Sequence, residues 1–258
     1  MKIVVIGASG VLGSRVVEEL SRRGHEVVGA NRARGVDAYT GEGLAEVMSG
    51  ADVVVDCLSL ETLSAKKAID FFRTTAANIA RAATDAGVGH VVCVSIANAD
   101  KPEVNAKFGY YQGKAAQEDA YRQALPPEVL TIVASTQWFE LAEQMMGRMS
   151  LGPVAVAPKM WSRPAAAADV ARVVADVATS ADHDGRKVEV AGPDEMNLVD
   201  VAKAVASRRR SPRWVIGASV GGPAIRRGGL VPAHPDIVTT TALDDWLAAQ
   251  AAAPAAEA

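Results

Sequence analysis

Short runs of valine and isoleucine alternate along the chain with longer, alanine-rich stretches whose apolar residues recur every three or four positions. Continuous β-branched runs suit strands buried on both faces, and the three-to-four spacing marks helices that cover such a sheet. Residues 2–6, 25–30, 52–58, 88–96 and 129–134 read as strands, and residues 36–39 as a short additional one. Residues 14–23, 42–49, 63–86 and 111–124 read as the intervening helices. Val16, Val17 and Leu20 share one helix face and Leu44, Val47 and Met48 another; the first three helices run into Gly24, Gly50 and Gly87, the residue type that ends a helix most readily. The alternation predicts an α/β fold built on about six parallel strands with helices on both faces.

Past residue 150 the rhythm changes. Pro153, Pro158 and Pro164 interrupt the chain before a helix at 169–179 and a late strand at 187–191. Asn197 is placed to cap a helix running through Ala206, with Asp200 answering it, and Thr241 with Asp244 repeats the arrangement before the last helix. The chain divides into a parallel α/β domain (residues 1–150), a small C-terminal α+β lobe partly packed on it (151–247) and a low-complexity tail expected to fray (248–258). Residues 207–235, rich in Gly, Pro and Arg, are expected to be loops that order over a ligand.

The 258 residues can bury a sizeable core, and 49% hydrophobic and 22% charged residues with a net charge of -3 describe an ordinary globular protein with no basic surplus for nucleic acid. The apolar run at 2–6 stops at Gly7, too early for a signal segment, and no later run approaches a membrane span, so a non-membrane, cytoplasmic protein is expected. Cys57 and Cys93 sit inside valine-rich runs and read as core thiols; His25, His90, His183 and His234 have no ligand spacing, so no metal is expected.

The first chemical signal is Gly7-Ala8-Ser9-Gly10-Val11-Leu12-Gly13, which follows the first strand at once and opens the first helix. There the missing side chains permit a tight turn, let backbone N–H groups approach a pyrophosphate and seat helix on strand, while the helix N-terminus favours an anion. Ser9 can add a hydroxyl donor. The chain therefore reads as a Rossmann-like, doubly wound parallel sheet that binds a dinucleotide, with the C-terminal lobe supplying a substrate side. An acid about 20 residues on, at the end of the second strand, selects NAD. Here that strand ends in Asn31-Arg32, with Arg34 close by. The missing carboxylate removes repulsion of a 2′-phosphate, and Arg32, with Arg34, can form charge-assisted bonds to it. NADP(H) is favoured, with NAD(H) as the alternative.

Tyr110 and Lys114 stand four residues apart, on one helix face. A lysine there can lower the phenol's pKa and hold the nicotinamide ribose, and the phenol can exchange the proton that accompanies hydride transfer at a carbonyl. Ser95, at the carboxyl end of the fifth strand, can hydrogen-bond the substrate oxygen. Which of Tyr110 and Tyr111 faces the nicotinamide is left open by the pattern.

The glycine loop, the Asn-Arg turn, Val94-Ser95-Ile96, Gly-Tyr-Tyr-Gln-Gly-Lys-Ala-Ala-Gln-Glu and Ser-Thr-Gln-Trp-Phe-Glu together resemble an atypical short-chain dehydrogenase/reductase of the NmrA-like, NAD(P)H-binding branch, over residues 1–245. The resemblance implies that Gly7, Ser9, Gly10, Val11, Leu12 and Gly13 hold the pyrophosphate, Arg32 the 2′-phosphate, and Lys114 the ribose. It implies that Leu58 and Ser59 line the path to the nicotinamide, that Asn78 supports the lysine through water, and that Thr136, Gln137, Trp138 and Phe139 flank the nicotinamide and begin the substrate pocket. Members of this branch also include proteins that keep the fold and the lysine, lose the tyrosine and bind NADP without turnover.

Trp138, Phe139, Met145, Met146, Met160 and Trp161 cluster where a cofactor half meets a substrate lobe, which suits an apolar or aromatic small molecule. Three readings follow: an NADP(H)-dependent reductase of a small carbonyl or quinone-like compound, with Tyr110 as acid, Ser95 as polariser and Lys114 as ribose holder; an NADP(H)-binding redox sensor; and a sugar-nucleotide epimerase or dehydratase, against which the Arg32 turn argues.

Overall fold

The computed structural model describes residues 1–62, 64–180 and 185–252. Strands β1 (Lys2–Ile6), β2 (Glu26–Ala30), β3 (Val53–Asp56), β4 (His90–Ile96) and β5 (Leu130–Ser135) alternate with helices α1 (Val11–Arg22), α2 (Leu44–Met48), α3 (Ala65–Asp85), α4 (Pro102–Asn105) and α5 (Gly109–Ala124). The chain continues through α6 (Phe139–Arg148), β6 (Ser150–Leu151), β7 (Val154–Pro158), β8 (Trp161–Ser162), α7 (Ala167–Thr179), β9 (Lys187–Ala191), β10 (Met196–Asn197), α8 (Leu198–Arg209), β11 (Trp214–Ala218), α9 (Pro223–Arg226), β12 (Ile237–Val238) and α10 (Leu243–Ala252).

The main sheet has seven strands in the order β12-β9-β5-β4-β3-β1-β2, and every pairing is parallel. From β1 the chain moves outward to β2, then returns across β1 to β3 and onward. The reversal falls at the carboxyl ends of β1 and β3, the place where open α/β sheets bind ligands. The register sets Ile6 beside both Ala30 and Asp56, so the loops leaving all three strands emerge side by side.

One apolar layer joins the sheet to α2, α3 and α5 through Leu44, Met48, Ile79, Ala83 and Tyr121; the opposite layer joins it to α1 and α7 through Leu12, Val16, Leu20, Val170 and Val174. Gly24, Gly50 and Gly87, all at positive φ, terminate the helices as their position predicts. Helix α5 lies close on α3 because Gly109 and Gly113 face it: a Cβ at Gly113 would stand 2.6 Å from the Phe72 ring and 2.9 Å from the Ala68 Cβ.

Four expectations need correction. Residues 36–39 form no sheet strand. The Asp37 carboxylate accepts from the N–H groups of Tyr39 and Thr40, and this local satisfaction competes with a ladder; only an isolated antiparallel bridge to Glu42 remains. Residues 207–235 are not free loops, since they contain β11 and α9, and Ile225 and Leu230 are fully buried in the lobe. Helix α7 and strand β9, counted by the sequence with the lobe, belong to the main layers: α7 lies under the sheet and β9 enters it beside β5. Thr241 bonds Asp169 of α7 through both its N–H and its hydroxyl, instead of pairing with Asp244.

The lobe proper is a three-stranded sheet, β11-β7-β6, over α6 and α8, with the β8-β10 pair beside it and a core of Phe139, Met146, Met160, Leu198, Val201 and Trp246. Among the described residues no helix is long and apolar enough to cross a membrane. The first residue of the helix expected at 63–86, His183, and residues 253–258 of the tail lie outside the described residues.

Candidate functional site

The turn after β1 is shaped by its glycines. Gly7 takes φ +79°, and the N–H groups of Gly7 and Ala8 both donate to the Ala30 carbonyl, at 3.0 and 3.3 Å. A Cβ at Gly7 would stand 3.0 Å from the Cys57 carbonyl, and one at Gly13 would stand 2.2 Å from the Gly7 oxygen. The turn closes as Gly10 N–H donates to Gly7 O at 3.0 Å, and α1 then starts at Val11 with no side-chain cap and no acid in its first turn. A helix start held open in this way presents its N–H groups of Val11, Leu12 and Gly13 to an anion. Ser9 is exposed at the tip of the turn. The cradle fits a pyrophosphate at the site where the sequence places one.

The second strand leads into the turn where the sequence pattern puts the adenosine end of a dinucleotide. Asn31 spends its side-chain oxygen on capping, accepting from Arg34 N–H at 3.1 Å. The Arg34 guanidinium folds back and donates to the Gly29 carbonyl at 3.2 Å. The Arg32 side chain is exposed and has no hydrogen-bond or ion-pair partner among the described residues. Of the three predicted residues, Arg32 is the one whose charge is free.

At the neighbouring strand, Asp56 ends β3 and is fully buried. One carboxylate oxygen accepts from Leu58 N–H at 2.9 Å, which turns the chain so that Ser59 projects from the carboxyl edge of the sheet. The other accepts from Gln117 Nε2 at 2.7 Å and from the Tyr121 hydroxyl at 2.8 Å, both on α5. Gln117 in turn accepts from Lys114 Nζ, which also donates to the Val94 carbonyl at 2.7 Å and lies 4.8 Å from the Phe72 ring centroid. Lys114 is thus buried inside a network that ends on Asp56. The charge of Asp56 offsets that of Lys114 through one amide, which is what keeping both ionic groups out of water requires. Burial, reinforced by the Asp56 charge, pushes the Tyr121 phenol far above its usual range, so it stays a donor.

Tyr110 is half-buried, meets Phe72 edge-on at 5.6 Å and places its hydroxyl 3.0 Å from Ser59 Oγ. Tyr111 points the other way. It is buried against Phe108 and Met160, and burial, with Tyr110 beside it, pushes its phenol up, a hydrogen bond from Gln137 opposing the rise. Of the two rings, Tyr110 is therefore the one at the carboxyl edge.

Ser95 does not join Tyr110. It is 1% exposed, and its hydroxyl donates to Glu118 at 2.5 Å. Glu118, itself fully buried, also accepts from Arg122 at 2.9 Å and from Lys187 at 3.2 Å. Glu118 follows Tyr110 by eight positions, about 12 Å along the helix. Asn78 holds the carbonyls of Ala38 and Tyr39, at 3.1 and 2.9 Å, and so pins the 36–41 turn in place of the expected support for the lysine.

The expected substrate wall is dispersed. Gln137 is buried and accepts from the Ser162 hydroxyl. Trp138 turns toward the α1 and α7 layer and donates to Ser135 at 3.0 Å. Phe139 and Met160 are lobe core, Phe139 against Trp246 at 5.3 Å. Trp161 is 39% exposed and donates to Glu195 at 2.8 Å. Cys57 and Cys93 are free, and burial keeps both thiols protonated at neutral pH.

Sequence reading overlooked Asp56, Gln117, Glu118 and Tyr121. A signal existed: Asp56 is the one acid within residues 53–57, and Gln117, Glu118 and Tyr121 fall at helical intervals from Lys114.

Comparison with known proteins agrees with the glycine turn. The sequence pattern of the NAD(P)H-binding family matches residues 7–181. A stretch of 60 residues is 42% identical to 4-hydroxy-tetrahydrodipicolinate reductase of Natronomonas pharaonis, covering 22% of this chain and 24% of that enzyme. The chain thus spans about a quarter of that curated relative. Among solved structures, the NADPH-dependent quinone oxidoreductase of Escherichia coli complexed with NADPH superposes with a TM-score of 0.69 at 18% identity, over 96% of this chain and 99% of that one. The dTDP-4-dehydrorhamnose reductase of Bacillus anthracis in complex with NADP gives 0.67 at 15% identity, over 94% and 91%. At such identities the likeness is one of fold. The chain belongs to the NAD(P)H-binding family.

Proposed function

We propose that this NAD(P)H-binding protein is an NADP(H)-dependent oxidoreductase that reduces a small carbonyl or quinone-like compound. The observation that carries the reading is the Tyr110 hydroxyl, half-buried at the carboxyl edge of the sheet and paired with Ser59. A bound reduced nicotinamide supplies a hydride, and the carbonyl oxygen that gains electron density then needs a proton. Tyr110 is positioned to donate it and to recover one from solvent. Gly7, Gly10 and Gly13, with the first-turn amides of α1 and Ser9, hold the pyrophosphate; Leu58 and Ser59 border the nicotinamide. Arg32 favours the 2′-phosphate of NADP(H). Lys114 has three N–H donors, of which two are placed on Val94 and Gln117, leaving the third for a ribose hydroxyl. The NADPH-dependent quinone oxidoreductase named above has this fold over nearly the whole length of the chain, so the fold accommodates such a reduction.

A second reading, an NADP(H) sensor without turnover, is favoured by one observation: Ser95 is bound to Glu118 and not to the tyrosine. Consumption of NADPH against a panel of quinones, aldehydes and enones separates the two. The reductase reading expects turnover that falls on Tyr110→Phe and Lys114→Ala. Tight NADPH binding with no acceptor reduced, and no effect of Tyr110→Phe, supports the sensor and refutes the reductase.

A further inference from the structure

We infer that Ser59, and not Ser95, is the second hydroxyl of the active site, donating to the substrate oxygen beside Tyr110. The inference rests on the reductase reading above and assigns within it a catalytic residue on a different strand from the one expected.

Three observations carry it. First, the two hydroxyls already meet: Ser59 Oγ and Tyr110 OH are 3.0 Å apart. Two donors at that separation leave room for one carbonyl oxygen about 2.8 Å from each, an ordinary O–H···O distance. Second, both hydroxyls are fixed from one buried anchor. One oxygen of Asp56 accepts from Leu58 N–H and sets the turn that aims Ser59, while the other holds Gln117 and Tyr121 on the helix that carries Tyr110. A paired donor set is worth most when it is held in place before charge develops on the oxygen. Third, Ser95 is committed elsewhere: its hydroxyl is buried and donates to a carboxylate that Arg122 and Lys187 also hold. Ser59, by contrast, is exposed, and it follows β3 at the edge where the order of the strands reverses.

The step balances without a further reagent. The hydride comes from the reduced nicotinamide, which is oxidised, and forms the new C–H bond. The carbonyl π pair moves to oxygen and takes the Tyr110 proton, which solvent replaces. Ser59 keeps its proton and donates a hydrogen bond throughout, stabilising the growing negative charge.

Protein saturated with NADP+ is titrated with 3,4-dinitrophenolate, an oxyanion probe followed by its absorbance, and NADPH oxidation is measured with 4-nitrobenzaldehyde and 2-methyl-1,4-naphthoquinone. Ser59→Ala is expected to weaken phenolate binding, and to lower kcat on any acceptor turned over, by about tenfold or more, a larger loss than any in NADPH affinity. Ser59→Thr should restore most of it, and Ser95→Ala should change phenolate affinity less than about twofold. Ser95→Thr, which keeps the hydroxyl, replaces Ser95→Ala if the latter does not fold. The inference is overturned if wild-type protein binds no phenolate, if Ser95 variants lose as much as Ser59→Ala, or if Ser59→Ala weakens only NADPH binding. Phenolate binding that needs Tyr110 and Ser59 in a protein that reduces neither acceptor would support the inference while counting against turnover of these acceptors.

Discussion

Gln117→Met severs the amide that joins Lys114 to Asp56 while nearly conserving side-chain volume, so its cost reports the network and little cavity formation. The substitution removes two hydrogen bonds to buried charges, Lys114 Nζ to Gln117 Oε1 and Gln117 Nε2 to Asp56 at 2.7 Å. Each such bond contributes about 1.5–3 kcal/mol, and breaking a buried ionic pair costs about 3–5 kcal/mol. Lys114 retains Val94 O, and Asp56 retains Tyr121 and Leu58 N–H, so neither group is left bare and the lower end applies. A loss of about 3 kcal/mol is expected, which for a chain of this length lowers the melting temperature by about 6–12 °C. Urea unfolding of the full chain measures it. The midpoint should fall with little change in slope, and Gln123→Met, on the exposed side of the same helix, should stay within about 0.5 kcal/mol of wild type. A loss below about 1 kcal/mol for Gln117→Met would show that Lys114 does not depend on Asp56.

Three further outcomes follow from the geometry. Arg32→Ala should weaken NADPH about tenfold or more while leaving NADH unchanged, since Arg32 bears the unpaired guanidinium of the turn; calorimetric dissociation constants for both nucleotides check this. Gly13→Ala places a Cβ 2.2 Å from the Gly7 carbonyl, so the turn must open; NADPH affinity should drop about tenfold or more, whereas exposed Ser14→Ala next to it should be neutral. Arg22 and Arg23 hold the Glu19 carboxyl down to about 2 from 4.5, so the folded value lies below the unfolded one and the stabilisation, complete above about pH 4.5, is lost as pH falls toward 2. In acid titrations followed by circular dichroism, the Arg22→Ala, Arg23→Ala double variant should show a smaller stability loss across that window; an unchanged profile would refute the assignment.

The elements that announced themselves were those whose local pattern and tertiary role agree. The valine runs of β1, β3 and β4 are buried on both faces and read as such, and the glycines at 7 and 13 are dictated by a positive φ and by backbone approaches that leave no room for a Cβ. Residues 36–39 misled because burial alternates there, Val36 and Ala38 inward, without a neighbouring strand, the carboxylate of Asp37 having satisfied the backbone locally. Ser95 misled because its position at the end of β4 is right, whereas its partner Glu118 is fixed by how α5 lies on the sheet, which spacing alone does not encode. Lys114 was legible as a buried functional cation only in part: its counter-charge, Asp56, is 58 positions away and connects through Gln117.

The most direct measurement is the position of NADP+ in a crystal of the complex. The account predicts the pyrophosphate on the N–H groups of Val11, Leu12 and Gly13, the 2′-phosphate against Arg32, and the hydride-bearing carbon of the nicotinamide within about 5 Å of the Tyr110 hydroxyl, close enough for both to reach one carbonyl group. A nicotinamide lying away from Tyr110 and Ser59, with the pyrophosphate still on the glycine turn, would contradict the proposed chemistry while leaving the cofactor cradle in place.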